Sequence, residues 1–318
     1  MPRLLLVLPL LIAAVVHARA GRAERIFVSL QNGTVQTFDI SLGSASAIEA
    51  SAQTFTNQEL TRPQGVAFDA ARNLFAASYD TSTVAKYDPS GVYLPAGSIP
   101  STNLQNPFGI AFDAAGNLFV ANGTGSTVSK FDATGAYQAA LSSNINSPTG
   151  VAIDGSGNLY VANSGNNTVA KFDSSGTYQA VGSIASNLDS PFGLAFDAAG
   201  NLYAANANNS TISKFDPSGT FVTTIGGGGS LNVPVGLAFD SSGNLYAANY
   251  FGQSVSMFDA SGAYVTSWAT AASPRFLAVE PVPEPSSWVL ATIASLAAAS
   301  VAMRRRAPGV AGEPSPRA

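Results

Sequence analysis

Four asparagines, Asn122, Asn163, Asn206 and Asn249, recur at one place in a repeated sequence, and amide oxygens of this kind suit hard cations such as calcium. Calcium sites ordinarily add several carboxylates. Here every nearby aspartate belongs to the same repeat, so no acid singles out one position. The asparagines have an equally simple use as turn formers at strand ends. Missing residue types narrow the chemistry further. The chain has no cysteine, and its one histidine, His17, lies in an apolar leader. A Cys/His zinc site, a thiol nucleophile and a Ser-His or Cys-His pair are thereby excluded from the main region. Carboxylate, hydroxyl and oxygen-ligated metal chemistry remain, and no cofactor is expected beyond a calcium ion on those amides.

The phrase that precedes these positions is Pro63-Gln-Gly-Val-Ala-Phe-Asp69. It recurs from Pro107, Pro148, Pro191 and Pro234 and, degraded, as Pro274-Arg-Phe-Leu-Ala-Val-Glu280. Its prolines are spaced by 44, 41, 43, 43 and 40 residues, a period that suits a four-stranded propeller blade. Each phrase leads into Asn-Leu-Tyr/Phe-Val/Ala-Ala, as at Asn117 to Ala121, then Val-x-Lys-Phe-Asp, as at Val128 to Asp132, then a looser fourth strand. Alternation along each strand lets its two sides face two different interblade layers.

Turns punctuate the strands twice per blade, as in Asp113-Ala-Ala-Gly116 and Asp132-Ala-Thr-Gly135: Asp bonds the following backbone and Gly accepts a positive φ. A residue needed once per blade is explained by geometry rather than by one reaction, so the repeated aspartates are assigned to turns. Lys86, Lys130, Lys171 and Lys214 share one strand position and are expected on a solvated face, where they could meet an anionic polymer. Gly226 to Gly229 reads as a flexible loop, with no strand-to-helix step to make it a phosphate cradle.

The six phrases are offset by half a blade from six third-strand aspartates, Asp39, Asp88, Asp132, Asp173, Asp216 and Asp259. The repeat region begins with second and third strands, Arg25 to Leu30 and Thr34 to Asp39, and ends on a first strand, Phe276 to Glu280. One blade is therefore expected from both ends, closing the ring and removing two open sheet edges. The predicted fold class is all-β, a six-bladed β-propeller over residues 21–281 whose N- and C-terminal strands share one blade, plus a C-terminal transmembrane helix.

Through Pro-x-Gly-Val-Ala-x-Asp, Gly-Asn-Leu-Tyr-Val-Ala and Lys-Phe-Asp, the region from about Arg25 to Glu280 resembles NHL-repeat propellers. It departs from them at Asn122, Asn163, Asn206 and Asn249, where that family commonly has Asp. Loops entering the first strand and leaving the second ring a propeller's channel on one face. The candidate ligand rim is accordingly Gln64, Phe108, Thr149, Phe192, Val235 and Arg275, at the second position of the phrase, together with the four asparagines. Related six-bladed lactonases hold a channel metal with Asn and acidic ligands, so the resemblance also implies an alternative, a calcium-dependent lactonase or hydrolase.

Both ends look like addresses. Met1 to Arg3 is basic, Leu4 to Val16 apolar, and Ala18-Arg19-Ala20 a small-x-small cleavage signal, so residues 1–20 read as a secretory signal peptide. Near the other end, Val282-Pro283-Glu284-Pro285 precedes an apolar run from Trp288 to Met303 and then Arg304, Arg305 and Arg306. That run makes a helix of about 24 Å, marginal for a bilayer and suited to a temporary membrane stop. The arginines stay cytoplasmic, with residues 307–318, and the large domain lies across the membrane.

This arrangement, over about residues 282–306, resembles the PEP-CTERM sorting tail. The resemblance implies an exosortase, a membrane protease, cutting near Pro283-Glu284-Pro285. The domain would pass through an inner-membrane intermediate to the cell surface, outer membrane or extracellular matrix of a Gram-negative-type bacterium. From Gly21 to Pro283 nine Lys or Arg stand against seventeen Asp or Glu, a net charge of minus eight. No basic stripe with interleaved aromatics appears, so nucleic acid is not an expected partner. The expected function is a non-catalytic envelope or matrix propeller that binds a polysaccharide, an envelope protein or a small ligand. The fold alone does not decide between binding and catalysis.

Overall fold

Every strand is five to seven residues long where the turn chemistry stops it on both sides. Asp113 shows how: its Oδ1 accepts the N–H groups of Ala115 (3.0 Å) and Asn117 (2.8 Å), its Oδ2 the Asn117 side-chain amide (2.7 Å), and Gly116 takes φ +83°. A side chain bonding its own backbone in this way competes with strand continuation and reverses the chain.

In the computed structural model, which describes residues 24–42, 44–56 and 60–281, the strands assemble into six antiparallel sheets arranged as propeller blades. The innermost strands are Pro63–Phe68, Pro107–Phe112, Pro148–Ile153, Pro191–Phe196, Pro234–Phe239 and Pro274–Val279, numbered here as blades I to VI. Each touches the next, and Pro274–Val279 touches Pro63–Phe68. Blade VI takes its inner strand from the end of the repeat region and its next strands, Arg25–Leu30 and Thr34–Asp39, from the start, as the offset of the repeats implies. The signal peptide, the Pro283-Glu284-Pro285 motif and the predicted membrane helix lie outside the described residues. Among those described, no helix is long and apolar enough to cross a membrane.

Period-two alternation builds the core between blades. In Leu74–Ser78, Leu74 and Ala76 face the layer between blades VI and I, whereas Phe75 and Ala77 face the layer between I and II. The second strands are buried from end to end for this reason. The close approach of inner strands is made possible by the glycine of the phrase. A Cβ on Gly150 would lie 2.1 Å from the Phe192 carbonyl oxygen, and one on Gly236 would lie 2.7 Å from Phe276 Cα.

Two departures from the expected repeat have local causes. Blade I has three named strands, its fourth reduced to bridges at Ile99 and Tyr93. Pro95, without an N–H, interrupts that stretch; Ser98 Oγ accepts the Lys86 N–H there (3.0 Å), as Ser183 accepts that of Lys171 in blade III. In blade VI the third strand leads into a short helix, α1 (Ala45–Ala50), which the all-β reading does not contain. Its first turn is capped by Ser44, and Ile48 is buried with Phe38 and Trp268 between blades V and VI.

The seam of blade VI carries an ionic lock. Glu280 ends the degraded phrase where the other blades have a turn aspartate, and its side chain is 6% exposed. It receives Arg25 Nη2 at 2.7 Å from the start of the ring and also pairs with Arg72 of blade I. Arg72 stands at φ +67°, in the turn position that four other blades give to glycine. Burial alone would raise the Glu280 pKa, but the hydrogen bonds from Arg72 and Arg25 outweigh it and hold the carboxyl below its ordinary value.

Candidate functional site

The asparagines that opened the chemical question are 0–2% exposed. Asn206 Oδ1 accepts the Asp189 N–H (3.1 Å), and its Nδ2 donates to Ser213 Oγ (2.8 Å) and Thr211 Oγ1 (3.1 Å). Asn122 and Asn249 repeat this pattern on Gln105 and Asn232; Asn163 takes the Asn146 N–H and donates to the Asn144 carbonyl. Each one ties the loop arriving at a blade to the end of that blade's second strand. The Oδ1 accepts a backbone N–H while the amide donates to hydroxyl or carbonyl oxygen, a pairing a carboxylate could not make. Their oxygens therefore face protein donors rather than an open rim.

The third-strand aspartates are occupied in the same sense. Asp132 Oδ1 accepts the N–H groups of Thr134 (2.9 Å) and Ala136 (3.0 Å), and the hydrogen bond from the Thr134 hydroxyl leads the causes that lower its pKa. The recurring lysines are not a free solvated face. Lys86, Lys130, Lys171 and Lys214 each hold Nζ 5.1–5.3 Å from an aromatic ring of the neighbouring strand, and Lys86 and Lys214 pair with Asp69 and Asp197 at 3.7 Å. A groove of about 410 Å³ beside Tyr160 and Lys171 is lined by these already engaged groups.

The second position of the phrase is re-aimed in blades I to V by an irregularity in the pairing of first and second strands, which sits just after the proline. Gln64, Thr149 and Val235 end up buried. Thr149 Oγ1 donates to the Pro191 carbonyl (3.0 Å), joining blade III to blade IV. The Phe108 and Phe192 rings meet edge to face with centroids 5.7 Å apart, and Phe192 reaches Phe276 at 5.9 Å. Rings from blades II, IV and VI thus pack together across the channel axis.

What remains open is one sector of the mouth, on blades V, VI and I. Arg275 of blade VI is half-buried, with its guanidinium carbon 4.1 Å from the Tyr250 ring centroid. Among the described residues no carboxylate pairs with it, and its Nε is buried without a hydrogen-bond partner. Burial, with the charge of Arg62 nearby, lowers its pKa. Arg62 stacks on Tyr79 at 4.5 Å and pairs with Asp80 at 2.9 Å. Gln64, 1% exposed, leaves Oε1 without a partner. Tyr250 is fixed by its hydroxyl bond to Gln31 (2.8 Å), and beside it Phe251 is 69% exposed.

The residue before the phrase proline takes a positive φ in blades I to V alike, at Arg62, Asn106, Ser147, Ser190 and Val233 (+46° to +54°), so this backbone belongs to the repeat and not to one sector. Tyr79, Tyr250, Phe251 and Arg62 are absent from the sequence-derived rim. A signal for them exists, because the residue after the second strand is Gly123, Ser164 or Ala207 in blades II to IV but tyrosine in I and V. The sector offers guanidinium donors and ring faces. Among the described residues, no three His, Cys, Asp or Glu side chains converge on a point where a metal could sit.

The family model for the NHL repeat matches residues 146–172, the region of blade III. No curated protein matches the sequence. Solved structures share the fold. A chain of a nidogen/laminin complex is 19% identical with a TM-score of 0.71, covering 82% of this chain and 99% of that one. A streptogramin B lyase is 11% identical with a TM-score of 0.60, covering 80% and 83%. A virginiamycin B lyase from Staphylococcus aureus, as a catalytically inactive His-to-Ala variant with quinupristin, is 12% identical with a TM-score of 0.58, covering 80% and 88%.

Proposed function

We propose that this six-bladed propeller is an exported, non-catalytic binding protein of the cell envelope or extracellular matrix, and that the channel mouth on blades V, VI and I is its binding face. The observation that carries the reading is Arg275, a half-buried guanidinium stacked on Tyr250 with no acidic partner among the described residues. An unpaired buried donor of this kind costs about 1–3 kcal/mol, which a ligand would offset. The nidogen/laminin neighbour is a propeller in a protein–protein complex. A lyase that needs a channel histidine is disfavoured, because the chain's one histidine precedes the ring.

A calcium-dependent hydrolase is disfavoured by the occupied asparagine oxygens. Bound metal and thermal stability, measured on the purified chain before and after chelation, test this directly. The expected result is no stoichiometric ion and an unchanged melting temperature; one tightly held ion per chain with loss of stability on its removal would favour the hydrolase.

Export rests on the leader, and release on the tail, whose apolar run at 288–303 acts as a temporary stop before an exosortase cuts near Pro283-Glu284-Pro285. Changing those three residues to alanine is expected to leave a larger species in the inner membrane. Unchanged size and location in fractionated cells would overturn the sorting role.

A further inference from the structure

Every blade contributes the same two loops to the mouth, so a feature found in only one sector is not required by the fold. Three such features coincide on blades V, VI and I. The residue after the second strand becomes a large ring, Tyr250 or Tyr79, where blades II to IV have Gly123, Ser164 or Ala207. Phe251 stands out with most of its ring in solvent, although large apolar side chains of this chain are mainly packed between blades. Two arginines, Arg275 and Arg62, lie close enough that the charge of one depresses the pKa of the other. Arg62 is neutralised by Asp80, and Arg275 is not.

We infer that the sector takes a carboxylate-bearing sugar of an acidic polysaccharide, with Arg275 reading the carboxylate and the Tyr250 and Phe251 rings receiving the flat C–H face of the sugar ring. The inference rests on the binding-face reading above and names its ligand. A guanidinium is a planar fork of N–H donors that matches the two oxygens of a carboxylate, and Arg275, over the Tyr250 ring, is only half-buried at this mouth. The surrounding protein is acidic, with a net charge of minus eight from Gly21 to Pro283, so attraction is confined to this spot rather than spread along a basic track.

The test is calorimetric titration of the full-length chain with oligogalacturonate, its neutral methyl ester, and a sulfated oligosaccharide of the same length. Wild-type protein is compared with Arg275→Gln, Arg275→Lys and Tyr250→Ala, each checked for an unchanged melting temperature. Oligogalacturonate is expected to bind, and Arg275→Gln to weaken it roughly ten- to a hundredfold, the loss typical of a hydrogen bond to a charged group. Arg275→Lys keeps the charge without the fork and is expected to fall between the two. Equal binding of the acid and its ester, or preference for the sulfated probe, would overturn the carboxylate inference and leave the mouth as a binding face. Binding untouched by Arg275→Gln and Tyr250→Ala would overturn the mouth itself. If none of the three probes binds at millimolar concentration, the sugar-acid ligand is wrong.

Discussion

Replacing Glu280 with alanine is expected to destabilise the ring by about 3–5 kcal/mol, because it strands two guanidinium groups at a site built around one buried carboxylate. The loss does not measure the worth of the ion pairs alone. Much of it is the cost of leaving Arg25 and Arg72, both largely covered, without a counter-charge. A second substitution separates these terms. Arg72→Gly removes one stranded charge and restores the residue that four other blades use at this positive-φ position. In the Glu280→Ala background it should recover part of the stability, whereas alone in the wild type it should destabilise. Urea titrations of the four proteins supply the cycle, and strict additivity would sink the idea of a coupled lock.

The lock also has a pH signature. The folded-state pKa of Glu280 lies below its ordinary value, so its contribution is fully present above the unfolded value, about 4.3, and is lost as pH falls through the folded one. The difference between wild type and Glu280→Ala should therefore be nearly constant from pH 7 to about 5 and shrink steeply toward pH 3. A difference that stays level across that range would remove the carboxylate from the account.

A chain ending at Ala272 is expected not to form a stable ring, whereas one ending at Pro281 should fold like the full chain. The shorter chain loses the inner strand Pro274–Val279. Phe276 and Leu277 are both buried there, and burial of side chains this size stabilises by about 1.5–3 kcal/mol each. With the Glu280 lock gone too, the loss approaches the whole stability of a typical domain, about 5–15 kcal/mol. It also exposes the pairing edge of Arg25–Leu30, which Pro274–Val279 otherwise covers. Size-exclusion chromatography and thermal melts distinguish the outcomes. A soluble monomer of the shorter chain melting within a few degrees of the longer one would show that the seam does not close the ring. The longer chain ends just before the proposed sorting motif, so the proposed cut near Pro283 is expected to leave the seam whole.

Much of this architecture was legible because each repeat encodes its own blade. The Pro-x-Gly phrase marks inner strands, Asp-x-x-Gly marks reversals, and alternation marks the two faces of each strand; all three are local effects that the chain cannot avoid. The half-blade offset even gave the shared blade VI. Local signals failed where a side chain has two plausible partners. The asparagines could serve a cation or the backbone, and only the arrival of a loop from 17 residues upstream decides for the backbone. Likewise the lysines have solvent on one side and a ring from the adjacent strand on the other, and the pairing register places them on the ring.

The sequence by itself determined the number of blades, the inner, second and third strands of each, the seam between the two ends, and the absence of thiol and imidazole chemistry from the ring. These depend on residue type and spacing alone. Only the tertiary structure decided which departures from the repeat belong together. Arg72 and Glu280 lie 208 residues apart and make one lock; Tyr250 and Arg275 come from different blades and make one stack. Ring closure brings distant exceptions side by side. A single departure from a repeat shows only that something differs there, and its partner is fixed by which blade becomes its neighbour.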